Sequence, residues 1–450
     1  MIDSHPLEKS VAARDRASVA AQGDAARSDE GESWADAPAK RSSERGRGSG
    51  LVLYVGNFIT PQIKESRRLN SHNPAGSNRM ERIATALRTA RIRAVIVSPA
   101  ATMRMGLCHR LWHKGCVCRT AALPIVLAPT LAMPLAGMML SPWAQLWTIL
   151  RLVRTHKVDA IIAYNFNPSM VLLAFFARLL KIPLLNNIED VATTRWRDFL
   201  PRSSARPVQQ VVFSVCMHLV AVLSRGIIIP SKKFLRHVGR DKPWLLVTGC
   251  VETPLKRPAS AESKPLRVLF AGKLEPEHGS DCVAELIQRI DSNSPSFGLE
   301  IHVSGAGAGA ERLKAVTESC RQVKAAFHGF VARNEFQRLL EAADVCLVLQ
   351  RPDGRYATYK TPSKAYEYLA YGKVVLGTAV GDLAETGTDA MVIVPLEATA
   401  VLEKLQALLS DRPRLAELQR AAREHAERHF AYNVVGARLA EFVREQCNQR

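Results

Sequence analysis

The feature that most constrains this chain is an alternation. Short, wholly apolar runs recur along it, each separated from the next by a stretch of helical periodicity, and the pattern occurs twice. The first series opens with Leu51-Val52-Leu53-Tyr54-Val55 and continues through Arg93–Val97, Asp159–Ala163, Pro183–Leu185 and Gly226–Ile229. Runs without polar alternation are what strands buried on both faces need, and helices between them imply parallel βαβ units. Helices are expected between these strands: one capped by Ser77, then Ala144–Val153, Ser169–Leu180 and Pro207–Leu223. The second series starts at Arg267–Ala271. Its strands continue at Leu299–Ser304, Val323–Phe327, Val345–Leu349 and Val374–Gly377, with helices at Ser280–Ile290, Ala310–Ser319, Asn334–Ala342 and Pro362–Leu369.

Two series imply two cores, as expected for 450 residues, because single cores rarely grow past roughly 250–300 residues. The predicted class is therefore α/β, with two Rossmann-like domains facing across a cleft. Residues 1–50 lack aliphatic periodicity and read as a disordered tail. Residues 51–253 form the N-terminal domain, and the proline-rich 254–265 the linker. Residues 266–432 form the C-terminal domain, and 433–450 a final helix that could cross back to the first domain.

The formal net charge of +19 is unevenly spread. Residues 51–230 hold 22 basic against 6 acidic side chains, whereas 231–450 hold 31 against 27. A nucleic-acid groove would interleave aromatics with these cations, but only 6% of residues are aromatic and none do so. The same half contains Thr120–Leu150, which has no charged side chain. Pro124, Pro129, Pro134 and Pro142 interrupt it and both flanks are basic, so it reads as a buried strand plus a membrane-facing helix, not a span. Nine scattered cysteines fit a reducing compartment. The cluster Cys108-His109, His113, Cys116 and Cys118 matches no standard zinc spacing, so no metal is expected.

Ligands of open α/β sheets sit beyond the carboxyl ends of strands, at helix N-termini. Four junctions of the second series qualify. At Gly272-Lys273, with His278-Gly279 beyond, glycine lets a phosphate approach and Lys273 supplies charge. Gly305 and Gly307 lie in a glycine-rich turn between strand and helix. In His328-Gly329-Phe330-Val331 the backbone at Phe330 and Val331 could meet a base edge. In Lys360–Leu369, Thr361 is expected as the N-cap and Pro362 as the first helical residue. Ser363, Lys364 and the positive helix end there suit a diphosphate, and Glu367, nearly one turn on, suits vicinal hydroxyls.

Taken in order, these motifs resemble the retaining glycosyltransferases of family 4, which have the GT-B fold. The resemblance covers about residues 267–386. It runs from Val268–Lys273 through Val303–Gly307, Phe327–Val331 and Ala342–Val345 to Pro362–Val375 and Glu385. It is similar to bacterial enzymes that build exopolysaccharide or lipid-linked glycans. The resemblance implies a nucleotide-sugar donor site in the second domain and an acceptor site in the first. Lys273 and His278 would hold the donor diphosphate; His278 stands where the family has lysine, and is a weaker, pH-dependent cation. Glu367 corresponds to the second glutamate of the family's Glu-x7-Glu motif, whereas the first falls on Tyr359. Tyr164-Asn165 replaces the family's N-domain histidine. Asp190, beside Glu189, is the acidic candidate near the acceptor, its structural alternative being a salt bridge to Arg195 or Arg197. The implied protein is a cytoplasmic enzyme, peripheral on the inner face of the plasma membrane, with Lys273, Lys364, Glu367 and Asp190 as catalytic residues. Its partners would be a nucleotide sugar, a glycan or lipid-linked acceptor and an anionic membrane, with no metal, cofactor or nucleic acid. The competing expectation is a GT-B-like binding or assembly subunit that has lost catalysis.

Overall fold

The structure is a computed structural model. It describes residues 50–67, 74–99, 112–120, 123–131, 134–190, 207–238, 241–254, 265–292, 298–353 and 357–448. The tail, most of the linker, Cys108-His109 and Arg195 and Arg197 lie outside the described residues.

The N-terminal half contains β1 (Leu51–Val55), α1 (Pro61–Ser66), α2 (Pro74–Thr89), β2 (Arg93–Ser98), β3 (Trp112–His113), β4 (Cys116–Arg119), β5 (Pro124–Leu127), β6 (Thr130–Leu131) and α3 (Pro134–Thr155). It continues with β7 (Val158–Tyr164), α4 (Pro168–Leu179), β8 (Leu184–Asn187), α5 (Pro207–Leu223), β9 (Gly226–Ile229), the short α6 (Leu235–Val238) and β10 (Trp244–Leu246). The sheet order is β10-β9-β8-β7-β1-β2-β5-β4, parallel except where β4 pairs antiparallel with β5. The pleat sorts β1 between two cores. Leu51, Leu53 and Val55 face α3, α4 and α5, whereas Val52 and Tyr54 face α2.

The C-terminal half contains β11 (Leu266–Lys273), α7 (Ser280–Ser292), β12 (Leu299–Ala306), α8 (Ala310–Ser319), β13 (Lys324–Gly329), α9 (Arg333–Ala342), β14 (Val345–Val348) and α10 (Ser363–Ala370). Then follow β15 (Val374–Gly377), β16 (Met391–Ile393), α11 (Ala398–Ser410), α12 (Arg412–His429) and α13 (Tyr432–Asn448). Its sheet is wholly parallel, in the order β13-β12-β11-β14-β15-β16.

The molecule is thus an α/β protein of two doubly wound sheets, and β1 and β11 are the strands at which each strand order reverses. The helix α13 leaves the second half and packs on α2. Leu439, Phe442 and Val443 complete the core that Val52 and Tyr54 begin. Phe442 is 6% exposed, so truncating it to alanine should cost about 3–5 kcal/mol.

Several local expectations need correction. Ser77 does not cap a helix: it lies inside α2, buried, and its Oγ accepts the Ile59 N–H at 3.0 Å. The helix expected at Ala144–Val153 begins ten residues earlier, at Pro134, with Pro142 inside it. Proline is tolerated in a first turn, where its missing N–H has no intrahelical partner, and only Pro142 removes an internal bond. The Cys116-Cys118 segment is the edge strand β4, and β10, β16 and α11 were not foreseen.

Candidate functional site

The reversal of strand order at β11 opens a crevice beyond its carboxyl end, flanked by β12 and β14. Backbone lies unusually close there. Gly305 has φ of 145°, and a Cβ at that position would collide with the Gly272 carbonyl, so only glycine keeps β11 and β12 together at this end. Gly307, in the turn that follows β12, lies against the Leu274 backbone in the same way.

Three lysines, Lys273, Lys360 and Lys364, and the titratable ring of His278 gather at this end. Lys273 is exposed at the tip of β11. His278 sits half-buried in the turn before α7, and its Nδ1 has no hydrogen-bond partner among the described residues. Burial, then the neighbouring charges of Lys360 and Lys273, hold its pKa below the ordinary histidine value. Lys364 rises from the first turn of α10. Its ammonium lies 5.0 Å above the Phe336 ring and 3.1 Å from where a Gly272 Cβ would be. Burial lowers the Lys364 pKa, against the opposing pull of Glu367. No hydrogen bond satisfies that ammonium among the described residues, an arrangement that favours an anion.

The helix start differs by one residue from expectation. Pro362 is the N-cap, without a side-chain hydrogen bond, and Ser363 is the first residue of α10. A proline cap offers no side-chain oxygen, so Thr361 caps nothing, and the first-turn N–H groups keep no side-chain acceptor. Thr361 is half-buried and Ser363 exposed. Phe330 is 85% exposed beyond the end of β13, with Val331 beside it, and Ser304 Oγ holds the Gly329 carbonyl at 3.1 Å.

Glu367 faces the other domain. Its Oε2 lies 3.0 Å from the Arg82 guanidinium of α2. A second bridge joins the domains where Lys233, beyond β9, meets the Gly381 carbonyl, Asp382 Oδ1 at 3.2 Å and Glu385 Oε1 at 3.3 Å. Tyr359 crosses the same gap, its ring centroid 5.9 Å from Phe234 and 4.9 Å from His237. Tyr359 is thus an aromatic contact between domains.

On the N-terminal side, Asn165 adopts a left-handed conformation, φ 57°, at the end of β7. Its Oδ1 accepts the N–H groups of Glu189 (2.7 Å) and Asp190 (3.2 Å), and its Nδ2 donates to Asp190 Oδ2 at 2.8 Å. Glu189 is committed elsewhere, accepting from Arg79 Nε at 2.7 Å and Asn187 Nδ2 at 2.8 Å. Asp190 makes no ion pair among the described residues. It reaches solvent at the cleft rim, yet surrounding protein raises its carboxyl above the ordinary range, against the Asn165 hydrogen bond.

Gly272, Lys273, His278, Gly305 and Lys364 thus converge with Gly307 at one crevice, and Glu367 lines the interdomain gap. Asp190 lies at the carboxyl ends of the other sheet. Sequence reasoning missed Lys360 and Arg82 as site residues. Lys360 stood in the motif, beside Thr361, and only the fold brings it to His278. Arg82 carried no local signal, since its partner belongs to the other domain. Among the described residues no three His, Cys, Asp or Glu side chains are grouped to hold a metal ion.

Comparison with known proteins bears on the fold. Residues 265–411 match the family model described as glycosyl transferases group 1. The fold is similar to that of a sucrose-phosphate synthase from Thermosynechococcus elongatus, at a TM-score of 0.60 and 13% identity, covering 89% of this chain and 100% of that one. Anabaena HepE, crystallised with UDP and glucose, superposes with a TM-score of 0.57 at 16% identity, over 88% of this chain and all of that one. WaaG, a glycosyltransferase of lipopolysaccharide biosynthesis, does so with a TM-score of 0.54 at 14% identity, over 87% and 99% of the two chains. No curated protein matches the sequence.

Proposed function

We propose that this chain, whose C-terminal domain is a glycosyl transferases group 1 domain within a GT-B fold, moves a sugar from a nucleoside diphosphate sugar to a membrane-associated glycan or lipid-linked acceptor, with retention of configuration. The observation that carries the reading is the convergence of Lys273, His278, Lys360 and Lys364 on one crevice, where Lys364 has no hydrogen-bonding partner among the described residues. When the anomeric C–O bond breaks, its electron pair leaves on a phosphate oxygen, and the three lysines offset the charge that develops, joined by His278 when its ring is protonated. The first turn of α10 adds its N–H groups, with no metal cofactor in this reading. Glu367 holds the ribose hydroxyls and the Phe330-Val331 turn meets the base. The incoming acceptor hydroxyl bonds to the anomeric carbon and passes its proton to Asp190, whose raised carboxyl is a better base than an ordinary aspartate. The enzyme is placed in the cytoplasm, peripheral on the inner face of the plasma membrane.

The test is calorimetric binding of a panel of nucleotide sugars combined with a product assay on a membrane fraction. Wild-type protein should bind one donor and transfer it, and Lys364→Ala should lose transfer while remaining folded. Near-normal transfer by that variant overturns the assignment. Because Tyr359 stands in place of a carboxylate, a binding subunit is the second reading. Donor binding by wild type without any product would establish it instead.

A further inference from the structure

The layer formed by α3, α4 and α5 has an outer surface of unusual character. On α3, Met139, Trp143 and Trp147 recur every fourth residue and are 63%, 56% and 52% exposed. Phe175 and Leu179 do the same on α4, and Val215, Leu219 and Val222 form a line along α5. The opposite faces of these helices hold Ile149, Leu173 and Val220 in the core, so the helices are apolar on both sides. α4 packs against both neighbours, which makes the lines one continuous panel. A soluble monomer seldom exposes so large an apolar patch unless something binds it.

Charge identifies the occupant. None of the three helices contains an aspartate or glutamate. Each helix feeds a parallel strand (β7, β8 and β9), so all three run in one direction and end at one edge of the sheet. That edge is basic. The Arg151 guanidinium lies 5.6 Å above the Trp147 ring, with Arg154 following, and Arg178 is in the last turn of α4. Lys242 donates to the Val222 and Ser224 carbonyls at the end of α5, where burial and then Arg178 lower its amine. A second copy docking by the same face would bring the same cations and, from these helices, no acidic complement. An anionic bilayer supplies phosphates for the cations and acyl chains for the indoles.

We propose that the outer face of α3, α4 and α5 is a membrane-docking surface, lying flat in the headgroup region of an anionic phospholipid bilayer with its basic edge on the lipid phosphates. Among the described residues no helix is long and apolar enough to cross a membrane, so the panel lies in the interface. The other end of the panel leads to the acceptor side. Asn167 caps α4 two residues after Asn165, which holds Asp190, so the end of the docked layer away from its basic edge adjoins the Asp190 end of the sheet. The inference deepens the membrane-associated acceptor proposed above, but vesicle binding needs no sugar transfer, so either can fail without the other.

The experiment is co-sedimentation of the full chain with phosphatidylcholine vesicles, with and without phosphatidylglycerol, across a salt series. Wild type should sediment only with phosphatidylglycerol present, and less as salt rises. Trp143→Ser with Trp147→Ser should lower partitioning roughly tenfold. Replacing Arg151, Arg154 and Arg178 by Gln should lower it roughly fivefold per charge and flatten the salt dependence. Matched circular dichroism and nucleotide binding exclude unfolding as the cause. Brominated lipid should quench wild-type tryptophan fluorescence, and Trp143→Phe with Trp147→Phe should remove that quenching. The proposal fails if wild type ignores phosphatidylglycerol vesicles, if the tryptophan variants sediment like wild type, or if light scattering finds a dimer that these variants dissociate.

Discussion

Replacing Lys364 by methionine separates a functional lysine from a structural one, because the two roles predict opposite signs. The methionine stem keeps the packing over Phe336 while the ammonium is lost. Without donor, that ammonium is a half-buried charge, and the acidic group facing it among the described residues is Glu367, which is already 3.0 Å from Arg82. Removing it should stabilise the protein by about 1 kcal/mol, the lower end of what replacing buried charges with apolar groups yields. With donor, the variant loses one charge-assisted contact to the diphosphate. That is about 2 kcal/mol, or roughly thirtyfold in Kd. The stability gap should also narrow as pH rises. The folded Lys364 pKa is lowered, so on approaching the unfolded lysine value the unfolded chain binds more protons, and wild type gains stability with pH while the variant does not. Thermal melts from neutral to alkaline pH, alongside calorimetry with the cognate nucleotide, measure both. A variant that melts lower and binds nucleotide as wild type does would refute the reasoning and make Lys364 a structural residue.

Lys373, 1% exposed, donates to the Glu341 and Ala343 carbonyls at 2.8 and 2.6 Å and so closes the end of α9; Lys373→Met should cost about 2 kcal/mol, read as a lower melting temperature with donor affinity unchanged. His278→Lys should remove the pH dependence of donor binding. In wild type, whose histidine is held below its ordinary value, affinity should rise as pH falls through that lowered pKa, because only the protonated ring attracts the diphosphate; calorimetry across the pH series decides it. Arg82→Gln should weaken donor binding by about 1 kcal/mol, roughly fivefold, and enlarge the radius of gyration in small-angle scattering, since the lost pair joins the two domains.

The two doubly wound sheets were legible because their strands are buried on both faces, and a run such as Leu51–Val55 then carries no polar interruption to misread. Strands with one weakly covered side gave no such signal: β10 keeps Trp244 37% exposed, and β16 has only three residues. The convergence of Gly272, Lys273, Gly305 and Lys364 beyond β11 was legible, since close backbone approach demands the glycines and the lysines stand at a strand end and a helix start. Its remaining parts depend on contacts between segments remote in sequence. Nothing local in α2 announces that Arg82 meets Glu367, and nothing beside Tyr359 announces Phe234 and His237. Similarly, Ser77 has the chemistry of an N-cap, but a tertiary partner, the Ile59 N–H, took its hydroxyl.

The Arg82–Glu367 pair bears on how closure and donor binding are connected. A carboxylate offers about four lone-pair sites over its two oxygens, so one cation leaves most of its acceptor capacity free for a ribose. Here Arg82 takes Oε2 at 3.0 Å, and no described residue donates to Oε1. The pair therefore fixes the orientation of the carboxylate while leaving one acceptor oxygen available in the cleft. Without Arg82 the carboxylate would face only Lys364, and their mutual attraction would draw that ammonium away from the crevice. Arg82 partly neutralises Glu367 and so leaves the Lys364 charge available to a diphosphate. The contact that joins the domains thus tunes the charge balance of the crevice beyond β11. If the donor binds as proposed, the N-terminal domain takes part in holding it through Arg82, and closing the cleft and strengthening the phosphate site would be one event.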